Sequence, residues 1–342
     1  MKVAFAFVLI SLMGSLVQCK QNVFVVHTNG TITAYAGSKI RDGARPMQIV
    51  NPRDGHSYMS IMHFGKYAYT WEVSAAAGIV RRWDIDSEGR IHKTHFTIRT
   101  SSGPVDVLAP ADALVTDRIV IFDRAANSEI VDEAFVSVVH HETLRSINVI
   151  PGRDYLKPDS VVLTSKYLYI AWGPYPRLEE YGTLFRLYDP SDDYDSVVLE
   201  TTEKYNTSFL TSKTNEDIYA MTGPHAIKLK RLNPDTLAEV ASTDSYCPYY
   251  DPAYLLLAED RDGDVNLYEV CDELHTYDLS FNDVLLKCES SPAGANFLVA
   301  SDNKLFSSGD ELTRYRVQSN GCPTVYLQAP GDFQGMLAVI LY

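Results

Sequence analysis

No stretch of this chain keeps an apolar i, i+3, i+4, i+7 face over three turns, so the sequence offers no sustained amphipathic helix. In its place, short runs rich in Val, Ile, Leu, Tyr and Phe are broken by Gly, Pro, Asp and Asn about every 8–12 residues. That rhythm leaves an all-β fold as the expectation.

The runs fall into groups of four. The fourth group reads Ser160–Thr164, Tyr167–Trp172, Leu184–Tyr188 and Ser196–Leu199, and the fifth Ser208–Thr211, Asp217–Thr222, Ile227–Leu232 and Leu237–Ala241. The sixth reads Tyr254–Ala258, Val265–Val270, Leu274–Asp278 and Val284–Lys287, and the seventh Asn296–Ala300, Lys304–Ser307, Leu312–Val317 and Thr324–Gln328. A second group begins near Tyr58 and a third near Val105. Internal echoes support repetition: Lys66-Tyr67-Ala68-Tyr69-Thr70-Trp71 matches Lys166-Tyr167-Leu168-Tyr169-Ile170-Ala171-Trp172. Trp83-Asp84, Phe122-Asp123, Tyr188-Asp189 and Tyr277-Asp278 read as third runs closing on an aromatic followed by Asp, which caps the next turn. Asn233 takes that place in the fifth group.

Seven such units over residues 20–342 take roughly 46 residues each, and four-strand units of this length resemble β-propeller blades of the broad WD40/YVTN-like kind. The resemblance covers nearly the whole chain and is one of architecture; Trp83-Asp84 is the only Trp-Asp dipeptide. The expected fold is a seven-bladed β-propeller of four-stranded antiparallel blades. The first group has three runs, Val23–His27, Thr31–Ala36 and Pro46–Val50, and Met336–Leu341 stands alone at the carboxyl end. That last run is expected to complete the first blade and remove two open sheet edges.

Residues 1–19 have the three parts of a secretory signal: Lys2, the apolar run Val3–Met13, and a processing stretch ending at Cys19. The apolar run is too short to span a bilayer. The chain is therefore expected to be secreted, with residues 20–342 as one propeller domain. Cys247, Cys271, Cys288 and Cys322 then remain, an even number that suits disulfides. Cys247 before the sixth group's first run and Cys271 after its second come close if those runs pair, which leaves Cys288 for Cys322. The assigned runs set this last pair at opposite ends of neighbouring blades. Asn29-Gly30-Thr31 and Asn206-Thr207-Ser208 are glycosylation triplets.

The chain carries 30 Lys and Arg against 44 Asp and Glu, a net charge of −14. That excludes a general nucleic-acid or anionic-membrane surface, both of which demand a basic face. Asp260, Asp262 and Asp264 place oxygens at alternate positions, as calcium loops do. The spacing lacks the closing acid, so an Asp-Gly hairpin is the stronger reading and calcium the weaker. Asp84, Asp86 and Glu88 repeat that pattern more faintly, and His140-His141 read as surface histidines.

In a propeller the second-to-third and fourth-to-first connections share one face. On that face the sequence gathers Trp172, Tyr175, Arg177, Tyr181, His225, Tyr246, Tyr249 and Tyr250, with Asp251, Arg153 and Tyr155. Aromatics with a few polar tips suit glycan, peptide or small-ligand recognition. The expected function is a secreted binding or scaffold protein whose partner is an extracellular protein, glycan or small ligand, with no required cofactor. The alternatives are a metal-dependent hydrolase or lactonase, or an acidic matrix component. Catalysis is disfavoured because no acid recurs at a fixed inward position.

Overall fold

The computed structural model describes residues 21–101, 103, 105–108, 117–123, 135–152, 156–174, 182–203, 206–211, 217–223, 228–245, 254–270, 274–279, 289–290, 297–301, 304–331, 333 and 337–341. The first sheet holds β1 (Gln21–Val26), β2 (Ile32–Ala36) and β3 (Gln48–Val50). The second is β4 (His56–Phe64), β5 (Tyr67–Ser74), β6 (Gly78–Ile85) and β7 (Ile91–Thr100). The third is β8 (Val105–Leu108), β9 (Arg118–Asp123), β10 (Phe135–His140) and β11 (Ser146–Pro151). The fourth is β12 (Leu156–Leu163), β13 (Leu168–Pro174), β14 (Thr183–Tyr188) and β15 (Val197–Glu203). The fifth is β16 (Asn206–Thr211), β17 (Ile218–Gly223), β18 (Lys228–Leu232) and β19 (Glu239–Asp244). The sixth is β20 (Tyr254–Glu259), β21 (Val265–Val270), β22 (Leu274–Asp278) and β23 (Glu289–Ser290). The seventh is β24 (Phe297–Ser301), β25 (Lys304–Ser308), β26 (Glu311–Val317) and β27 (Pro323–Pro330). The last strand, β28 (Leu337–Leu341), runs antiparallel to β1, with Val23 opposite Val339, and completes the first sheet.

The innermost strands β28, β4, β8, β12, β16, β20 and β24 touch in succession and close a circuit. This is a seven-bladed β-propeller. Its core is divided into seven apolar clusters, one at each junction of neighbouring blades. Strand alternation explains this, because each strand sends successive side chains to opposite faces and so toward two different blades. In β13, Tyr169 and Ala171 pack on the fifth blade while Ile170 and Trp172 pack on the third.

The tyrosines also tie blades together. Tyr69, Tyr169 and Tyr268, each on a second strand, donate their hydroxyls to the carbonyls of His141, Pro234 and Gly321 at 2.6, 2.9 and 2.7 Å. Each acceptor lies in the third-to-fourth turn of the next blade. Burial raises the pKa of all three phenols, so they remain donors.

Two details correct the expectation. Phe122-Asp123 closes a second strand, β9, not a third. The sixth blade's fourth strand is β23 at Glu289–Ser290, while the expected run 284–287 lies outside the described residues. Apolar runs mark burial, and an outermost strand has one open edge and little core to join. Among the described residues, no helix is long and apolar enough to cross a membrane.

Candidate functional site

Each blade is an antiparallel meander, so its second-to-third turn and its entry from the preceding blade lie on one face of the ring. This is where the sequence sets its aromatic loops. Tyr175, Arg177, Tyr181, His225, Tyr246, Tyr249 and Tyr250 all lie outside the described residues, as do Cys247, Cys271 and Cys288. Trp172 is described, and it does not present its ring on that face: it is 2% exposed and packs with Val120, Phe122 and Val161. It faces inward because it follows Ile170 by two residues on a strand and therefore shares its side. Its indole N–H has no hydrogen-bond partner among the described residues.

At the point in the second strand that Trp172 occupies, other blades carry buried acids. Glu72 pairs with Ile79 and Glu269 with His275, the second residue of the third strand in each case, as Trp172 pairs with Leu184. Asp123 lies opposite the first residue, Phe135. Each acid follows an aromatic: Trp71-Glu72, Phe122-Asp123 and Tyr268-Glu269. All three acids are at most 1% exposed. These acids are buried on second strands, away from the innermost strands that an acid aimed at the central channel would occupy. Their signal was present as those three dipeptides, but reading Phe122-Asp123 as a third run hid it.

The three acids differ in their partners. Asp123 accepts the backbone N–H and the hydroxyl of Ser101 at 2.7 and 2.5 Å. Glu269 accepts the hydroxyls of Ser245 and, at 2.6 Å, Tyr277. Ser101 and Ser245 each follow the last strand of the preceding blade, so these two acids fasten the entry segments of their blades.

Among the described residues Glu72 has no such hydroxyl, and neither of its oxygens accepts a hydrogen bond. It faces an imidazole and a guanidinium instead: His56 Nδ1 stands 3.4 Å from Oε1, and Arg81 Nη2 3.7 Å from Oε2. Arg81 is itself buried and donates through Nη1 to the Thr94 carbonyl at 3.1 Å. The four residues lie on β4, β5, β6 and β7, so a polar row crosses the blade. Burial, and then the Glu72 charge, push the Tyr58 phenol up to about 12. Burial, and then the charges of Arg81 and Arg53, hold the Lys93 amine below its usual value. Residues 51–100 contain seven Lys and Arg against five Asp and Glu, and four of the nine histidines, so this blade runs against the acidity of the chain. Buried, charge-coupled groups of this kind are where functional sites concentrate.

The calcium-like stretches are turns. Asp260 Oδ1 accepts the N–H groups of Asp262 and Asp264 at 2.8 and 3.0 Å, around Gly263 at φ 90°. Asp86 Oδ1 does the same for Glu88 and Arg90 at 2.8 and 2.9 Å, around Gly89 at φ 72°. Glycine is required at each for its left-handed backbone. Asp262 and Asp264 are exposed, and among the described residues no three His, Cys, Asp or Glu side chains gather as a metal set. A groove of about 180 Å³ between the third and fourth blades, lined by Asn148, Arg186, Tyr188 and Tyr194, is smaller than the roughly 300 Å³ at which ligand pockets begin.

No family model and no curated protein matches the chain. Solved structures do. A candidate 6-phosphogluconolactonase from Bacteroides fragilis superposes with a TM-score of 0.63 at 11% identity, covering 95% of this chain and 99% of that one. One from Bacteroides uniformis gives 0.63 at 12% identity, with 94% and 100% covered. The C-terminal WD40 domain of Sif2 gives 0.56 at 11% identity, with 92% and 84% covered. At such identities the likeness concerns the fold alone.

Proposed function

We propose that this protein is a secreted propeller that binds its ligand on the face carrying the fourth-to-first and second-to-third connections. The observation that carries this reading is Glu72, a buried carboxylate on that side of the second blade whose oxygens accept no hydrogen bond among the described residues, with the His56 imidazole and the Arg81 guanidinium beside it. Native structures rarely leave such groups unsatisfied without a role for them. The aromatic loops of the fourth, fifth and sixth blades would supply stacking surface for an extracellular protein, glycan or small ligand.

The leader at residues 1–19 supports export, and so does the disulfide-bonded state of Cys322. Cys288 is the better partner for it. In sequence it directly precedes β23, as Cys322 directly precedes β27. The turn at Gly321 already docks on the sixth blade through the Tyr268 hydroxyl. Cys247 with Cys271 would be the second bridge, and non-reducing peptide mapping tests both.

A glycan and peptide array probed with the secreted protein tests the binding reading. Tyr175→Ala, Tyr250→Ala and His56→Gln are expected to weaken capture at least tenfold with little change in melting temperature. Unchanged capture in all three would overturn it. A second reading, an extracellular hydrolase or lactonase, draws on His56 Nδ1 facing Glu72, an arrangement that orients an imidazole to act as a base. Turnover of simple lactones that disappears in His56→Gln would favour that reading over pure binding.

A further inference from the structure

We propose that Asn29 is an N-glycosylation site, and that its glycan stands on the first-blade side of the ligand face while Asn206 remains bare. The inference rests on the extracellular reading above. Asn29 is exposed at the tip of the turn between β1 and β2, a second-to-third connection and hence on the ligand face. Its Oδ1 accepts the backbone N–H of Thr31 at 3.0 Å and the Thr31 hydroxyl at 2.8 Å. These bonds span two residues, so the turn forms locally and needs no completed ring. Gly30 lets it form: its φ is 78°, and a Cβ there would lie 2.6 Å from the Cβ of Ser57. The Gly30 carbonyl accepts the Tyr58 N–H at 3.1 Å, which fixes the turn to the second blade and turns Asn29 outward.

The chemistry this geometry serves is transfer from a lipid-diphosphate-linked oligosaccharide. The Thr31 hydroxyl bonded to the carboxamide oxygen assists the amide nitrogen in attacking the sugar C1. A bond forms from nitrogen to C1, the C1–oxygen bond to the diphosphate breaks with its electron pair leaving on the diphosphate, and the proton lost from nitrogen is taken up by that diphosphate. No oxidant or reductant is involved.

The second triplet has a different backbone. Asn206, Thr207 and Ser208 begin β16, the innermost strand of the fifth blade, and pair with Gly223, Thr222 and Met221. Three extended residues set their first and third Cα atoms about 6.6 Å apart, with no turn between them. The Asn29 turn abuts the second blade at Ser57 and Tyr58, so a glycan there stands beside the His56 end of that blade.

The test is expression of the full chain in a secreting eukaryotic cell, with mass mapping after enzymatic glycan release in heavy-oxygen water. The expected result is a tagged Asn29, loss of the glycan mass in Asn29→Gln, retention in Thr31→Ser, and no change in Asn206→Gln. Secreted chain with Asn29 unmodified overturns the inference, and so does occupancy of Asn206 equal to that of Asn29; both leave the extracellular reading standing. Chain that keeps its leader and stays in the cytosol overturns both together.

Discussion

Glu72 in the second blade and Glu269 in the sixth stand at one structural position, each after an aromatic and each sealed from water. Their surroundings differ in kind. Glu269 ends in hydroxyls and joins its blade to the segment that enters it. Glu72 ends in a histidine and an arginine at ion-pair distance with no hydrogen bond completed. Burial alone therefore does not say what a polar group is for. A satisfied network rigidifies a fold, and an unsatisfied one holds free energy that a ligand can recover.

The comparison presupposes a closed ring in which blades are equivalent, and the largest expected effect concerns that closure. Deleting residues 337–342 removes β28, the innermost strand of the first blade, exposes the backbone edge of β1 and opens the ring between β24 and β4. Cooperative thermal unfolding should be lost, and a variant that melts like the full chain would remove the basis for comparing blades. Next comes the charge pair of the second blade. Arg81→Met alone leaves Glu72 buried without its main counter-charge and should cost about 3–5 kcal/mol, measured by denaturant melts.

Smaller effects sharpen the sixth-blade side. Tyr268→Phe strands the Gly321 carbonyl and should cost about 1–2 kcal/mol without altering ligand capture. The smallest effect separates two otherwise matching turns. His92, and then the amide of Arg90, hold the Asp86 carboxyl down at about 2. A folded-state value below the unfolded one of about 3.9 means that Asp86 stabilises the fold above pH 4 and loses that contribution as pH falls toward 2. The melting difference between wild type and Asp86→Asn should close as pH falls from 4 toward 2. The turn at Asp260 has the same two amide bonds and serves as the reference.

Much of the architecture was legible because strand and turn chemistry are local. The run spacing, the count of seven blades and the role of the last run all follow from residues that act within a few positions of one another. Asp189 and Asn233 cap the turns after their strands, as their places after third runs imply: Asp189 accepts the Ser191 N–H at 2.7 Å, and Asn233 that of Asp235 at 3.0 Å. The buried acids were not legible, because what separates Glu72 from Glu269 is contributed by other strands and blades. Ser245 lies 24 residues before Glu269, and no spacing rule links the two. Trp172 misled for a related reason. An aromatic at a strand end reads as a loop residue, and only the parity set by Ile170 shows which way it turns.

Thermal melting of two variants tests the central contrast most directly. Glu72→Leu with Arg81→Met removes the whole buried ion pair of the second blade, and Glu269→Leu removes the carboxylate from its hydroxyl network in the sixth. Replacing an imperfectly bonded ion pair with apolar side chains is neutral or stabilising in known cases, whereas taking the acceptor from the fully buried Tyr277 hydroxyl costs about 2–3 kcal/mol. The double variant should melt at or above wild type, and Glu269→Leu several degrees below it. A double variant that melts well below wild type while Glu269→Leu is unchanged would contradict the account, because Glu72 would then be the structural acid.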